Sequence, residues 1–430
     1  KKHGGFLAPG MDFAFGFTGD DYIDRALQND WLICNDSVVS PASSNALEDL
    51  QLRISLEPIR DLKIDLTANR TRNRSREIQY MFEGMPDTRS GNFSMSIISI
   101  GSAFERPSAG DGYHSGTFER FRRNLDVIRD RVESQFLGAQ YPQGSILAGK
   151  TFDPANGTIS KHSPDVMIPA FLAAYTGKSA RNSALDFFPS LFSMMPNWRI
   201  TYTGLTKIAW FKKNFRSVNL NHAYRSTYSV GSYNTFQSFM SYMGDIGFVE
   251  DVQSGNPIPS SRFDISMVSI NEQFSPLIGM DATLKNGLTA KVEYKTSRIL
   301  NLSMSACQLV ETASRDFVIG LGYKIVNFNL FSGRNVKDNK NRVSHDLALR
   351  ADISFRNQSA LCRDIQQGFA QATNGNKALK ISCSADYTLS RLLTLRLYYD
   401  RQQNTPLVSS SSYPVVSTDF GFSMKFSLTR

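Results

Sequence analysis

Two-residue alternation of apolar and polar side chains recurs along this chain, and it constrains each such segment to a strand, whose successive side chains point to opposite faces. Leu50, Leu52, Ile54 and Leu56 share one face, with Gln51, Arg53, Ser55 and Glu57 opposite. After a Pro58-Ile59-Arg60-Asp61 turn the pattern resumes with Leu62, Ile64, Leu66 and Ala68 against Lys63, Asp65, Thr67 and Asn69, which predicts a hairpin. Ile278, Met280, Ala282 and Leu284 lead through Lys285-Asn286-Gly287, an Asn-Gly turn signal, into Leu288, Ala290, Val292 and Tyr294. Further faces are Phe317, Ile319, Leu321, Tyr323 and Ile325; Leu347, Leu349, Ala351, Ile353 and Phe355; Leu379, Ile381, Cys383, Ala385 and Tyr387; then, past Ser390-Arg391, Leu393, Leu395, Leu397 and Tyr399; and Phe420, Phe422, Met424, Phe426 and Leu428. Weaker candidates lie at Met11–Phe17, Phe93–Ile100, Trp198–Thr203, Val218–Val230, Phe263–Glu272 and Leu300–Ala306, about fifteen strands in all. Arg70–Gly91 and Phe369–Lys377 read as loops.

Between residues 101 and 196 the period becomes helical. Phe118, Phe121, Leu125, Ile128 and Val132 recur at three- and four-residue spacing, with Arg122, Arg123, Arg129 and Arg131 off that face. A second helix is expected from Ser163-Pro164, with Ser163 as cap, to Tyr175. The chain therefore divides into strands and loops over 1–100, a helical insertion over 101–196, and strands over 197–430 ending in a C-terminal strand.

Alternation also fits a soluble β-sandwich. Three features favour a transmembrane β-barrel segment, all-β and antiparallel, cut from a larger barrel. Several strands hold five apolar positions in register; nine residues at about 3.3 Å each and a tilt near 40° span about 23 Å, close to the apolar band of outer-membrane barrels. The alternate face is small or charged, as a hydrated lumen requires, and aromatics such as Tyr294, Phe355, Tyr387, Tyr399 and Phe420 end the apolar runs where an interfacial girdle belongs. No boundary between sandwich-sized modules is visible. Lys63, Asp65, Lys291, Glu293, Arg350, Asp352, Arg396 and Lys425 are the candidates for a lumen face; the plain alternative is a solvated strand face with no transport role. Leu52, Ile54, Ile64, Ile319, Leu349, Leu395, Phe422 and Phe426 are the candidates for a lipid face.

Composition sets outer limits. Hydrophobic residues make 41% and charged residues 20%, which excludes wholesale disorder. The longest apolar run, Val166–Tyr175, is about half of a membrane-spanning helix and contains Pro169, but strands that cross a membrane escape that criterion. The net charge of +9 is scattered with no run of five basic residues, so nucleic acid is not expected as a partner. The opening Lys1-Lys2-His3-Gly4-Gly5 suggests a fragment with its native N-terminus missing.

Chemistry-bearing motifs are not found: no GxxxxGK[ST], HExxH or GxSxG, and no enzyme is expected. Cys34, Cys307, Cys362 and Cys383 lack zinc spacing; a Cys34–Cys362 disulfide stays open. His3, His114, His162, His222 and His345 are isolated, and His222 reads as structural. Asp20 and Asp21 with Asp24 could hold a hard cation, although such clusters are usually just solvated. No cofactor or metal is expected.

Several segments, in order along the chain, resemble the SprA (Sov) family of outer-membrane translocons. They are PGMDFAFGF (9–17), DVMIPAFLAAYTGK (165–178), SVNLNHAYRSTYSVGSY (217–233), EQFSPLIGMDATLKNGLTAKVEY (272–294), VIGLGYKI (318–325), LKISCSADYTLSRLLTLRLYYDRQ (379–402) and STDFGFSMKFSLTR (417–430). The resemblance implies the C-terminal strands of a very wide single-chain barrel in the outer membrane of Bacteroidetes-like bacteria, through which type IX secretion exports folded cargo, including adhesins for gliding. It implies as partners a PorV-like shuttle protein, a periplasmic plug protein and cargo bearing C-terminal sorting signals. The competing readings are a porin or receptor-type barrel for small solutes and, from another class, a secreted β-rich adhesin.

Overall fold

The computed structural model describes residues 11–15, 22–29, 31, 40–79, 87–326, 328, 346–389, 393–408 and 413–426. Its strands are β1 (Ala42–Ile59), β2 (Leu62–Ile78), β3 (Asp87–Ser96), β4 (Asn197–Tyr202), β5 (Phe215–Thr235), β6 (Met240–Met243), β7 (Ile246–Glu250), β8 (Pro257–Ser261), β9 (Phe263–Ile265), β10 (Met267–Leu284), β11 (Leu288–Ser303), β12 (Gln308–Ile325), β13 (Leu347–Asp364), β14 (Ala370–Thr388), β15 (Leu393–Pro406) and β16 (Val415–Phe426). Helices are α1 (Met11–Ala14), α2 (Tyr22–Gln28), α3 (Gly116–Ser134), α4 (Pro164–Tyr175) and α5 (Ala209–Asn214). The fold is antiparallel β with a helical insertion.

Eleven strands follow one another as β1-β2-β3-β5-β10-β11-β12-β13-β14-β15-β16, each antiparallel to the next, while β6-β7-β8 form a separate small sheet. Short connections explain the meander: tight turns join antiparallel neighbours. Asp61 at φ 70° turns β1 into β2, and Gly287 at φ 88° turns β10 into β11.

The insertion interrupts a strand instead of joining two. β3 pairs with the Arg70–Ile78 half of β2, and β4 pairs with its Leu62–Thr67 half, both antiparallel. Both also pair with β5. Thus β3 and β4 are two pieces of one strand line, and residues 97–196 leave and re-enter the sheet at mid-height. Polar stitches close the break: Asn197 Nδ2 donates to Ser96 Oγ at 3.2 Å, and the Asn69 N–H donates to the same hydroxyl at 3.0 Å.

Inside the insertion, α3 buries Phe118, Phe121, Leu125, Ile128 and Val132, the period expected of an amphipathic helix. Ser115 caps it, accepting from the Phe118 N–H at 3.1 Å. α4 is buried nearly all round, Phe171 meeting Phe121 edge-on at 6.0 Å. Ser163 stands at the N-cap position, but its hydroxyl makes no capping bond; Pro164 has no N–H to offer, and the Ser163 carbonyl accepts from Val166 and Met167 instead.

Several expectations need correction. Met11–Ala14 is a helical turn and no strand, with the Phe15 N–H on the Met11 carbonyl and Phe13 stacked on Tyr22 at 5.5 Å. Most of Arg70–Gly91 is strand where a loop was expected: β2 runs on to Ile78 and β3 starts at Asp87. Phe369–Lys377 is largely β14. Segments read separately at 263–272 and 276–284, and at 288–294 and 300–306, belong mainly to β10 and β11, which run on through the polar stretches between them. His3, Asp20, Asp21, Cys34, His345, Ser390, Arg391 and Leu428 lie outside the described residues.

Candidate functional site

Register decides which residues share a face, because directly paired residues of an antiparallel ladder point the same way. Lys291 pairs with Gly320, and Gly320 with Asp352; Arg350 pairs with Gly322 and Ser384; Asp386 pairs with Arg396; Thr394 pairs with Lys425. On the other side of the sheet Lys63 and Asp65 pair with Thr201 and Arg199, which pair with Asn221 and Ala223. All eight residues nominated for a lumen lie on one face. Following the same ladders through Leu52–Ala68, Ile319–Ile353, Leu349–Ala385, Tyr387–Leu395 and Leu397–Phe422 puts Leu52, Ile54, Ile64, Ile319, Leu349, Leu395, Phe422 and Phe426 on the other.

The charged face is a mixed lattice. Glu293 accepts from Lys291 at 3.0 Å and Lys295 at 2.9 Å, Asp316 from Arg356 at 2.8 Å, and Arg396 lies 3.5 Å from Asp386. Lys291, Arg350 and Asp352 meet around a recess of about 390 Å³ with Asp281, a residue the sequence reading did not nominate. A Cβ on Gly320 would meet the Asp352 carboxylate at 2.6 Å, so glycine lets Lys291 and Asp352 flank that strand closely. Asp65 sits apart, in a recess of about 410 Å³ with Arg53, Arg199 and Arg225. Lys425 is separate from both.

The apolar face has two halves. Towards the β10–β11 turn it is open: Phe317, Leu321, Ile353, Phe355, Leu397, Phe420, Phe422 and Met424 are all exposed. Towards the opposite strand ends the same face is covered by the insertion. Val268 and Ile270 of β10, Leu300 and Leu302 of β11 and Leu309 of β12 are buried in one cluster with α3 and α4. The insertion therefore packs on the apolar side of the sheet.

Charged residues hold it there. Glu272 accepts from Arg298 at 2.7 Å, from Ser99 Oγ at 2.7 Å and from the Tyr224 hydroxyl at 2.8 Å, all buried. Three arginines on successive strands donate to backbone carbonyls of one incoming segment: Arg298 to Ser102 at 2.7 Å, Arg315 to Glu105 at 3.3 Å and Arg363 to Tyr113 at 2.6 Å. Arg363 is fully buried and also meets Glu311 at 3.1 Å. Burial works to raise the Glu105 pKa, but hydrogen bonds from Ser115 and Thr117 hold its carboxyl below the usual range. Burial pushes the Asp165 carboxyl up, against hydrogen bonds from Ser261 and Ser260. The sequence reading missed this set. Its signal was charge at positions in apolar register, Glu272, Arg298, Glu311, Arg315 and Arg363, which marks a strand face covered by protein.

Beside it, Arg70, Arg72, Arg74 and Arg76 alternate along β2 on the same face. Arg70 lies over the Phe93 ring at 5.2 Å and Arg72 over Phe188 at 4.9 Å. Arg76 is held by Asp24 at 2.8 Å and Asp87 at 2.8 Å, so Asp24 serves as an arginine partner. His222 Nδ1 donates to the Leu277 carbonyl at 2.7 Å, a structural contact. Among the described residues Cys307, Cys362 and Cys383 are free thiols and no metal-type cluster occurs.

No family model and no curated protein matches this chain. Among solved structures, OmpT, an outer membrane protein of Vibrio cholerae folded in vitro and in trimer form, is similar over 90% of this chain and 99% of that chain, with 10% identity and a TM-score of 0.23. A likeness so slight carries no argument about function.

Proposed function

We propose that this sheet is a stretch of the wall of an outer-membrane β-barrel and, on its sequence resemblance to the SprA family, part of the protein-conducting channel of type IX secretion. One observation carries the wall: a single sheet face is apolar and, outside the covered half, stands exposed on β1 and on β12 to β16, while the face behind it is a charged lattice. An open apolar surface of that extent is incompatible with a monomer in water and natural against lipid. The lattice suits a hydrated conduit, since paired charges neither bind a passing folded surface tightly nor expose apolar area to it.

Strand length supports the same placement. β10 to β14 have 16 to 19 residues, whereas a crossing takes about 9–11. The surplus half of these strands stands beyond the membrane, and there the insertion covers the outward wall of β10 to β13, which would otherwise face water. In this reading the insertion flanks the channel from outside, leaving the polar face clear, and offers a surface at which a PorV-like shuttle or cargo could dock.

The test is deletion of the full-length gene, followed by fractionation of cargo with C-terminal sorting signals beside a porin control. Cargo trapped in the periplasm with porins intact supports the translocon. Normal secretion overturns it and leaves a barrel for small solutes.

A further inference from the structure

The β4–β5 connection crosses the rim at which the open apolar band ends. It consists of a 3-10 turn, Gly204–Lys207, and α5. Both ends are tied to neighbouring hairpin turns: the Thr203 N–H donates to the Asp61 carbonyl at 2.9 Å, and the Lys285 N–H donates to the Asn214 carbonyl at 3.1 Å. Lys207 forms an ion pair with Asp61. The segment is thus a fixed strip along the rim.

Most of its side chains are exposed. Ile208 and Trp210 are exposed by 52% and 61%, too much for a core and unusual for a fixed strip in water. Trp210, Phe211 and Phe215 form one aromatic cluster, with centroids 4.9 Å, 5.8 Å and 5.6 Å apart. Phe215 pairs with Leu284, the last apolar residue of β10, so the cluster continues the apolar band at its edge. Lys212 and Lys213 follow directly. With Arg60 and Lys285 on the flanking turns, these four cations engage no acid in an ion pair among the described residues, whereas Lys207 and Lys324 are paired with Asp61 and Asp346. The rim thus combines an apolar–aromatic edge with uncompensated positive charge.

We propose that the Gly204–Asn214 strip is an interfacial anchor: Ile208 and Trp210 enter the boundary between acyl chains and headgroups, and Lys212, Lys213, Arg60 and Lys285 meet the phosphates of an anionic lipid surface. Indole rings favour that depth because one side is apolar and the N–H stays wet, while lysine stems reach outward to anions. Each lysine near an anionic surface contributes about 1 kcal/mol, about fivefold in local partitioning. The inference rests on the membrane-wall reading above and adds which rim segment sets the depth of the wall and the charge of the lipid it meets.

The test uses the three tryptophans. A chain with Trp31→Phe and Trp198→Phe keeps Trp210 as sole reporter. It is reconstituted into phosphatidylcholine vesicles with or without phosphatidylglycerol, using lipids brominated at shallow or deep acyl positions. The expected result is stronger quenching by shallow than by deep bromines, weak quenching by aqueous iodide, and iodide protection that grows with phosphatidylglycerol and is lost in Lys212→Gln/Lys213→Gln. A parallel chain carrying Ile353→Trp as sole tryptophan reports the band and is expected to respond to deep bromines. Iodide quenching of Trp210 while the Ile353→Trp reporter responds to bromines overturns the anchor and leaves the wall standing. Protection independent of phosphatidylglycerol overturns the anionic preference. Failure of both reporters to respond to bromines overturns the membrane wall and the anchor with it.

Discussion

On β11, Val292 and Tyr294 share a sheet face with Arg298, Leu300 and Leu302, yet the first pair stands partly open while the other three are buried under α3, α4 and the segment before them. One strand therefore serves two surroundings. The open half is apolar and its neighbours are apolar, so it needs a partner that offers no hydrogen bonds. The covered half mixes Leu300 and Leu302 with Arg298, whose charge is matched by Glu272 and the Ser102 carbonyl. A buried charge is tolerated only where such partners are built around it. The same lesson repeats on β12, where Phe317 and Ile319 are followed by Arg315 and Glu311 in the covered direction, and on β13 with Ile353 and Arg363.

The strongest way to break this contrast is to remove one member of the covered ion pair. Arg298→Ala strands the Glu272 carboxylate and is expected to cost about 3–5 kcal/mol. Proteolytic release of the insertion at lower denaturant would register that loss, and Glu272→Leu with Arg298→Met should recover most of it. Unchanged protease resistance in Arg298→Ala would mean that the covered half does not depend on its charges.

Next in size is a charge placed in the open half. Ile353 pairs with Ile319 and Ile381 at the middle of the apolar band, so Ile353→Arg should destabilise folding into vesicles by about 2–4 kcal/mol. Ser354→Arg, one residue on and on the charged face, should be near neutral. Equal costs at the two positions would remove the distinction between the faces.

Smaller effects sharpen the comparison. Ser115→Ala removes the cap of α3 and is expected to cost about 1 kcal/mol, visible as faster amide exchange in its first turn while strand protection is unchanged. Smallest is Lys291→Ala. Its partner Glu293 keeps Lys295 at 2.9 Å, and the Lys291 side chain is itself exposed, so a loss below about 1 kcal/mol in vesicle unfolding is expected. A larger loss would show that the charged lattice holds the sheet together.

Much of the wall was legible because period two survives whatever surrounds a strand. Lys63, Lys291, Arg350 and Lys425 could be assigned a common face from spacing alone, as could Leu52, Ile319, Leu349 and Phe422 opposite. The helical period of Phe118 to Val132 was equally plain. Legibility failed where apolar residues stop marking the pattern. Along β2 the alternation passes from Ile64, Leu66 and Ala68 to Arg70, Arg72, Arg74 and Arg76, an unbroken period two in which guanidinium groups stacked on Phe93 and Phe188 take the apolar positions. Hydropathy reads that stretch as loop.

Side-chain order along the chain dictates which residues alternate and where the period turns helical, and therefore that two chemically opposed faces and one helical insertion exist. It could not determine that β3 and β4 complete one strand line, that the insertion leaves from its middle, or that it lies on the apolar side. Those choices rest on contacts between residues more than a hundred positions apart, such as Arg298 with Ser102 and Arg363 with Tyr113. Local propensity carries no information about such pairs. They are selected only when the assembled sheet offers a buried charge one partner that satisfies it.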